Sequence, residues 1–222
     1  MMPKYIAFEG IDGSGKDTQL ALLARRLERE GTTPIILYEP SFGVHGRRIR
    51  ERLASLTENV EEQRALFSAD RVDHVAAKIA PALGFVRVNP GFVILQNRSI
   101  LSAAAYQPRG DDDEGLLETI EAELRIAPMP DTIVVLDLPV EVALDRIAKE
   151  GAPDAMERPD RLAAARARYR RLCELLPACR LIDGAGEPTA VASRIYATVR
   201  SDHDRRPARP GGTSLICSKT DP

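Results

Sequence analysis

Residues 10–18 read Gly10-Ile11-Asp12-Gly13-Ser14-Gly15-Lys16-Asp17-Thr18, with Gly10, Gly15 and Lys16 spaced as GxxxxGK. Residues of these types at this spacing do one kind of chemistry. Glycines let the backbone curl so that several N–H groups point inward, and a following helix N-terminus adds partial positive charge; together they hold phosphate oxygens. Lys16 adds a full charge for the β- and γ-phosphates of a nucleotide. One position departs from the pattern: Asp17 stands where a Ser or Thr usually holds Mg2+, and Thr18 follows it. A carboxylate there either faces the metal or points outward, with Thr18 placed to share the hydroxyl role. Asp17 and Thr18 are therefore the candidate metal ligands.

Such a loop works only when a strand and a helix hold its ends. Residues 5–9 form a short apolar run ahead of it. From 16 to 30, Leu20, Leu23, Ala24 and Leu27 recur at i, i+3, i+4 and i+7, an amphipathic helix that Gly31 ends. Further strands are expected at 34–38, 92–95, 132–136 and the short pair Leu181-Ile182, with a short helix over 46–56 and a long one over 60–83. Strands alternating with helices imply right-handed crossovers and a parallel sheet. The runs are apolar on both alternations, as in strands covered on both faces. The expected class is α/β: a P-loop NTPase fold, with a five-stranded parallel sheet flanked by helices and a short lid.

Composition narrows the setting. The chain has 222 residues, 31 Lys plus Arg against 33 Asp plus Glu, and a formal net charge of −2. That argues against a general nucleic-acid binder, which is usually frankly basic. No apolar run is long enough for a transmembrane helix, and no secretory signal is expected at the start. Cys173, Cys179 and Cys217 show no CxxC spacing, as expected of incidental thiols in a reducing cytoplasm. From Ser201 onward the composition turns to Arg, Pro and Gly. The expected organisation is one domain over 1–200, a lid at about 148–160, and a flexible tail over 201–222.

Two helical faces concentrate binding chemistry. Arg64, Phe67, Arg71 and His74 fall at i, i+3, i+7 and i+10, a stripe able to stack a base and hydrogen-bond its edge; Ala69, Val72, Ala76 and Ile79 form a second stripe suited to the core. Arg98, Ser102 and Tyr106, at i, i+4 and i+8, are expected to share another face.

Five ordered groups of residues carry a resemblance. Phe8-Glu9-Gly10 leads into the loop, with Asp12, and closes on Thr18-Gln19; Glu39-Pro40 is followed by Gly46 and Ile49-Arg50. Leu66-Phe67, Ala69-Asp70-Arg71 and His74 form the third group, and Asn97-Arg98, Ser102 and Ala105-Tyr106-Gln107 the fourth. Asp137-Leu138-Pro139, Ala143 and Arg146-Ile147 form the fifth, with Glu157, Leu162, Arg166 and Tyr169 beyond. Over most of residues 4–200 the chain resembles the thymidylate kinases.

The resemblance implies ATP and Mg2+ as cofactors, dTMP as substrate, a homodimer and a cytoplasmic location. It implies that Gly10 to Thr18 bind ATP, with Arg146 packing on the adenine. At the acceptor end, Arg98 would grip the monophosphate and Phe67 stack the base. Arg71 would reach a thymine carbonyl, and Ser102 and Gln107 would lie near the pyrimidine edge. Tyr106 would crowd the sugar 2′ position, and Asp12 would receive the 3′-hydroxyl. Glu39 and Phe42 are counted with the acceptor-binding residues.

The family usually has Asp-Arg where this chain has Asn97-Arg98, so the metal-facing carboxylate is expected to have moved across the site to Asp17. Lys16, Asn97, Arg98 and, from the lid, Arg158 are the expected catalytic residues, with Lys149 in reserve. Two other readings stay open from sequence: a deoxynucleoside kinase using Glu39 as base, and a nucleotide-binding protein with little turnover.

Overall fold

The computed structural model describes residues 3–52, 59–150 and 157–204. In chain order the elements are β1 (Tyr5–Glu9), α1 (Lys16–Arg29), β2 (Thr33–Tyr38), α2 (Val44–Arg52) and α3 (Val60–His74). A π-helical segment (Val75–Ile79) joins α3 to α4 (Ala80–Val88). There follow β3 (Phe92–Asn97), α5 (Ile100–Tyr106), α6 (Asp113–Leu124), β4 (Thr132–Asp137), α7 (Val140–Glu150), α8 (Pro159–Leu175), β5 (Cys179–Asp183) and α9 (Pro188–Asp204).

Five parallel strands run in the order β2-β3-β1-β4-β5. Alternate residues of β1 feed two different cores. Ile6 and Phe8 pack with Leu20, Leu23 and Leu27 of α1 and Ile195 and Val199 of α9, while Ala7 joins Leu101, Leu116, Leu162 and Leu172 on the opposite face. Covering on both faces holds for β1, β3 and β4 but not for the edges. In β2 only Leu37 is fully buried, and in β5 only Cys179 and Ile182, because an edge strand has a neighbour on one side alone.

The chain leaves adjacent strands β1 and β3 toward opposite sides of the sheet, to β2 and to β4. In open α/β sheets, the crevice beyond the carboxyl ends of two such strands is where ligands bind. Residues 10–15 follow β1, Arg98 follows β3 and Glu39 follows β2, so one crevice collects the loop and both of the other segments.

The long helix expected over 60–83 runs further, to Val88, and the π-helical segment interrupts it. An extra residue per turn rotates the buried stripe. Ahead of it the buried residues are Gln63, Arg64, Asp70, Arg71 and His74; at its end Ile79 is buried, and beyond it Ala82 and Val86. The apolar stripe expected in the core is thereby corrected: Val72 and Ala76 are exposed, and only Ile79 of that set is fully buried. The polar face turns inward because it lies over the crevice, where its charged groups find partners. At the other end, α9 continues to Asp204, past the expected boundary at 200. The remainder of the expected tail lies outside the described residues, as does the lid segment 151–156.

Candidate active site

The loop emerges from β1 and closes on Gly15, which caps α1 in a left-handed conformation. Gly13, with φ of +72°, is forced: a Cβ there would lie 2.5 Å from the Ala143 carbonyl oxygen of α7. Lys16 turns back over the loop and donates to the carbonyls of Gly10 at 3.0 Å and Ile11 at 2.9 Å. Burial, and then the nearby Arg98, lower its ammonium group to about 8, outweighing the carboxylates of Asp12, Glu9 and Asp17. Ser14 Oγ is buried without a hydrogen-bond partner among the described residues. A buried hydroxyl left without a partner, beside a lysine folded over the loop, fits a loop built to receive phosphate oxygens.

Across the crevice, Arg98 leaves β3 in a left-handed conformation with φ of 64° and precedes α5. It therefore does not share a helical face with Ser102 and Tyr106, yet it meets both. Its Nη1 donates to Ser102 Oγ at 3.3 Å, its Nη2 pairs with Asp12 Oδ1, and its guanidinium lies 5.2 Å from the centre of the Tyr106 ring. The Tyr106 hydroxyl donates to Asp12 Oδ2 at 3.1 Å, and Lys16 Nζ lies 3.8 Å from Asp12. Burial alone would raise the Asp12 carboxyl; Arg98 and Lys16 outweigh it and hold the group at about 2. One carboxylate set between two cations leaves a net positive rim, suited to an anion.

Below lies a buried polar floor. Arg71 of α3 reaches Glu39 after β2 (Nε to Oε2, 2.9 Å), Glu123 of α6 and the Ser99 carbonyl (3.1 Å). Gln96 Nε2 donates to Glu39 Oε1 at 3.2 Å, and His74 Nδ1 lies 3.4 Å from the same oxygen. Burial pushes the Glu39 carboxyl up, but Arg71 and His74 outweigh it and the group is held below its ordinary range. After the cis Glu39-Pro40 bond, Ser41 is fixed by Asp70, which accepts from its N and Oγ at 2.6 Å each. Gly46 is required where it stands, since a Cβ would fall 1.9 Å from the Ser41 carbonyl oxygen.

These groups border one cavity of about 800 Å3. Asp12 to Thr18, Glu39, Phe67, Arg71, Asn97, Arg98, Ser102, Tyr106, Gln107, Arg146 and Lys149 all line it, so most of the expected site residues come together. Arg146 also donates to the Gly13 carbonyl at 3.2 Å. Gly10 and Ile11 contribute through the carbonyls that hold Lys16. Gly10 and Ile11 do not border the cavity themselves, and two further expected residues lie away from it. Phe42 is 70% exposed, against Tyr38 and Arg50, and Arg158 lies on the surface beside Asp160 at 3.2 Å.

At the loop's metal position, Asn97 Nδ2 donates to Asp17 Oδ1 at 2.7 Å, while Asn97 Oδ1 is buried with no partner among the described residues. A carboxylate, an orphaned amide oxygen and the exposed Thr18 hydroxyl are the hard oxygen donors that Mg2+ takes. No cluster of three or more acidic, His or Cys ligands exists among the described residues.

Glu123 and the floor role of Glu9 were not anticipated. Glu9, fully buried, accepts from the Ser99 N and Oγ, Ser102 Oγ and Tyr169 OH, at 2.6 to 2.8 Å. A signal for Glu123 was present in the sequence, because Leu116, Thr119, Ile120 and Glu123 recur at helical spacing and all are buried.

A family model described as thymidylate kinase matches residues 8–195. A thymidylate kinase of Akkermansia muciniphila is 42% identical over 164 residues, covering 73% of this chain and 76% of that protein. One from Xanthomonas campestris pv. campestris is 35% identical over 196 residues, 87% of this chain and 82% of its own. A probable thymidylate kinase of Pyrococcus horikoshii is 34% identical over 208 residues, with coverage of 89% and 96%.

Proposed function

The chain belongs to the thymidylate kinase family, and from that membership we propose how its pocket performs the reaction. The protein transfers the γ-phosphoryl group of ATP to dTMP, giving dTDP and ADP. In our reading ATP lies along Gly10 to Thr18 with Lys16 on its β- and γ-phosphates and Arg146 against the adenine. The dTMP phosphate sits at Arg98, its sugar against Asp12 and Tyr106, and its base on Phe67, near Arg71, Ser102 and Gln107.

The observation that carries an acceptor with a ready nucleophile is the state of Glu39. A hydroxyl acceptor would need a base, and Glu39 is buried against Arg71, Gln96 and His74 and held below its ordinary range. A carboxylate so occupied is a poor base. A monophosphate oxygen is already anionic, so positioning and charge suffice. This favours the monophosphate over the deoxynucleoside as acceptor.

Asp17, Asn97 and Thr18 would hold Mg2+, which when bound neutralises developing charge on the phosphate oxygens. The protein's own part is to bring two cationic groups, Lys16 and Arg98, to opposite sides of one reacting centre and to keep Asp12 between them. Lys149, on the cavity wall, is the lid-side cation we favour for the moving phosphoryl group, ahead of Arg158.

Two further points belong to this reading. A homodimer is part of this reading, taken from the family resemblance. A cytoplasmic location is in keeping with ATP and dTMP as reactants, and among the described residues no helix is long and apolar enough to cross a membrane. The site reading is tested with Arg98→Ala. It should raise KM for dTMP by about two orders of magnitude while KM for ATP stays within a few-fold. An unchanged KM for dTMP would remove Arg98 from the acceptor site.

A further inference from the structure

The floor of the pocket sets two acids around Arg71. Glu39 pairs with Arg71 and has His74 beside its other oxygen at 3.4 Å, and Glu123 adds a second carboxylate from α6; Arg71, Glu39 and Glu123 are 3–6% exposed. A buried carboxylate is costly unless it is paired and hydrogen-bonded. The geometry around Arg71 says what Glu123 does there.

A guanidinium carries five N–H hydrogens in a fixed plane. In Arg71, the Nε hydrogen goes to Glu39 Oε2 at 2.9 Å; Nη2 lies 2.8 Å from the same oxygen and donates to the Ser99 carbonyl at 3.1 Å. Nη1 gives one hydrogen to Glu123 Oε2. One Nη1 hydrogen is left without an acceptor among the described residues, on a side chain that lines the cavity with Phe67 and Gln107. Glu123 is itself held, since its Oε1 accepts from Ser68 Oγ at 3.1 Å.

We infer that Glu123 is a positioning residue: it fixes the Nη1 nitrogen of Arg71 so that its remaining hydrogen meets the C4 carbonyl of the pyrimidine. This rests on the assignment of Arg71 to the base. An N–H aimed at C4 donates to the carbonyl of thymine and opposes the amino group of cytosine, so Glu123 contributes to the choice between dTMP and dCMP.

The experiment is steady-state kinetics on Glu123→Gln, Ser68→Ala and Arg71→Ala with dTMP, dCMP and ATP. Folding is checked by circular dichroism and thermal melting. Glu123→Gln is expected to raise KM for dTMP about tenfold and to narrow the dTMP-to-dCMP ratio of kcat/KM, with kcat and KM for ATP within about twofold. Ser68→Ala should move the same two quantities in the same direction, by less. If Arg71→Ala raises KM for dTMP and Glu123→Gln does not, the positioning role is overturned and the Arg71 assignment stands. If Arg71→Ala leaves KM for dTMP unchanged, that assignment fails and the inference falls with it. Equal losses toward dTMP and ATP in Glu123→Gln mark a merely structural acid and overturn the inference.

Discussion

The Asn97 side-chain amide donates to the Asp17 carboxylate at 2.7 Å, joining the end of β3 to the first turn of α1. An amide opposite a carboxylate is attractive, whereas two carboxylates at that distance repel strongly. Residue 97 as Asn and residue 17 as Asp are therefore one arrangement. It leaves a single negative group, on the loop side, facing the expected metal and phosphates.

A double-mutant cycle tests this coupling. Asn97→Asp alone should lower the melting temperature of the nucleotide-free protein and cut kcat, because it sets two acids against each other. Asp17→Ser with Asn97→Asp should recover both beyond either single change, with a coupling energy of roughly 1–3 kcal/mol. Effects that simply add, in melting and in kcat/KM, would show that the two residues act independently.

Lys16 predicts a pH dependence with a definite sign. The protein's own surroundings lower its ammonium group to about 8, chiefly by burial. Bound polyphosphate favours the charged form and raises it again. ATP binding should therefore take up a proton at pH 8 to 9 and little at pH 6, and affinity should weaken as pH rises through 8. Calorimetry at pH 8.5 in two buffers of different ionisation enthalpy measures the uptake; zero uptake would contradict the account.

Tyr106 is given two separable roles. Its hydroxyl holds Asp12, and its ring stands beside Arg98; in the proposed reading that ring excludes a sugar 2′-hydroxyl. Tyr106→Phe should cost several-fold in kcat/KM yet keep the preference for deoxyribose, since one hydrogen bond is lost and the ring stays. Tyr106→Ala should admit the ribonucleotide. Kinetics with dTMP and its 2′-hydroxylated analogue check this, and an undiminished preference in Tyr106→Ala would place the sugar elsewhere.

The lid-side cation is tested by comparing Lys149→Ala with Arg158→Ala. Lys149 borders the cavity, whereas Arg158 faces Asp160 on the surface. Lys149→Ala should lower kcat tenfold or more with little change in KM; Arg158→Ala should change kcat by less than threefold. The reverse order would return the role to Arg158.

Much of this arrangement was legible in the sequence. The GxxxxGK spacing located the loop, and short apolar runs located the strands, the fifth from no more than the pair Leu181-Ile182, because both signals are local. Boundaries drifted at strand ends, as at residues 96–97, where polar Gln96 and Asn97 continue β3 into the site. The stripe of Ala69 and Val72 misled because helical periodicity assumes an unbroken helix, and the π-helical segment after His74 breaks the register. It also assumes that buried faces are apolar, whereas this one serves a polar cavity. Arg98 was read as helical since spacing alone does not reveal a left-handed residue before α5. Glu123 escaped because its partners, Ser68 and Arg71, come from α3, more than fifty residues away in sequence.

The measurement that bears most directly on the whole account is ADP release with ATP and Mg2+, comparing dTMP, dUMP, dCMP and thymidine as acceptors. Turnover should be greatest with dTMP. It should be poor but detectable with dUMP, since one methyl group is worth only ~1–3 kcal/mol. It should be lower still with dCMP, and absent with thymidine, because the occupied Glu39 is no base for a hydroxyl. Turnover with thymidine at a rate matching dTMP would contradict the account at its centre.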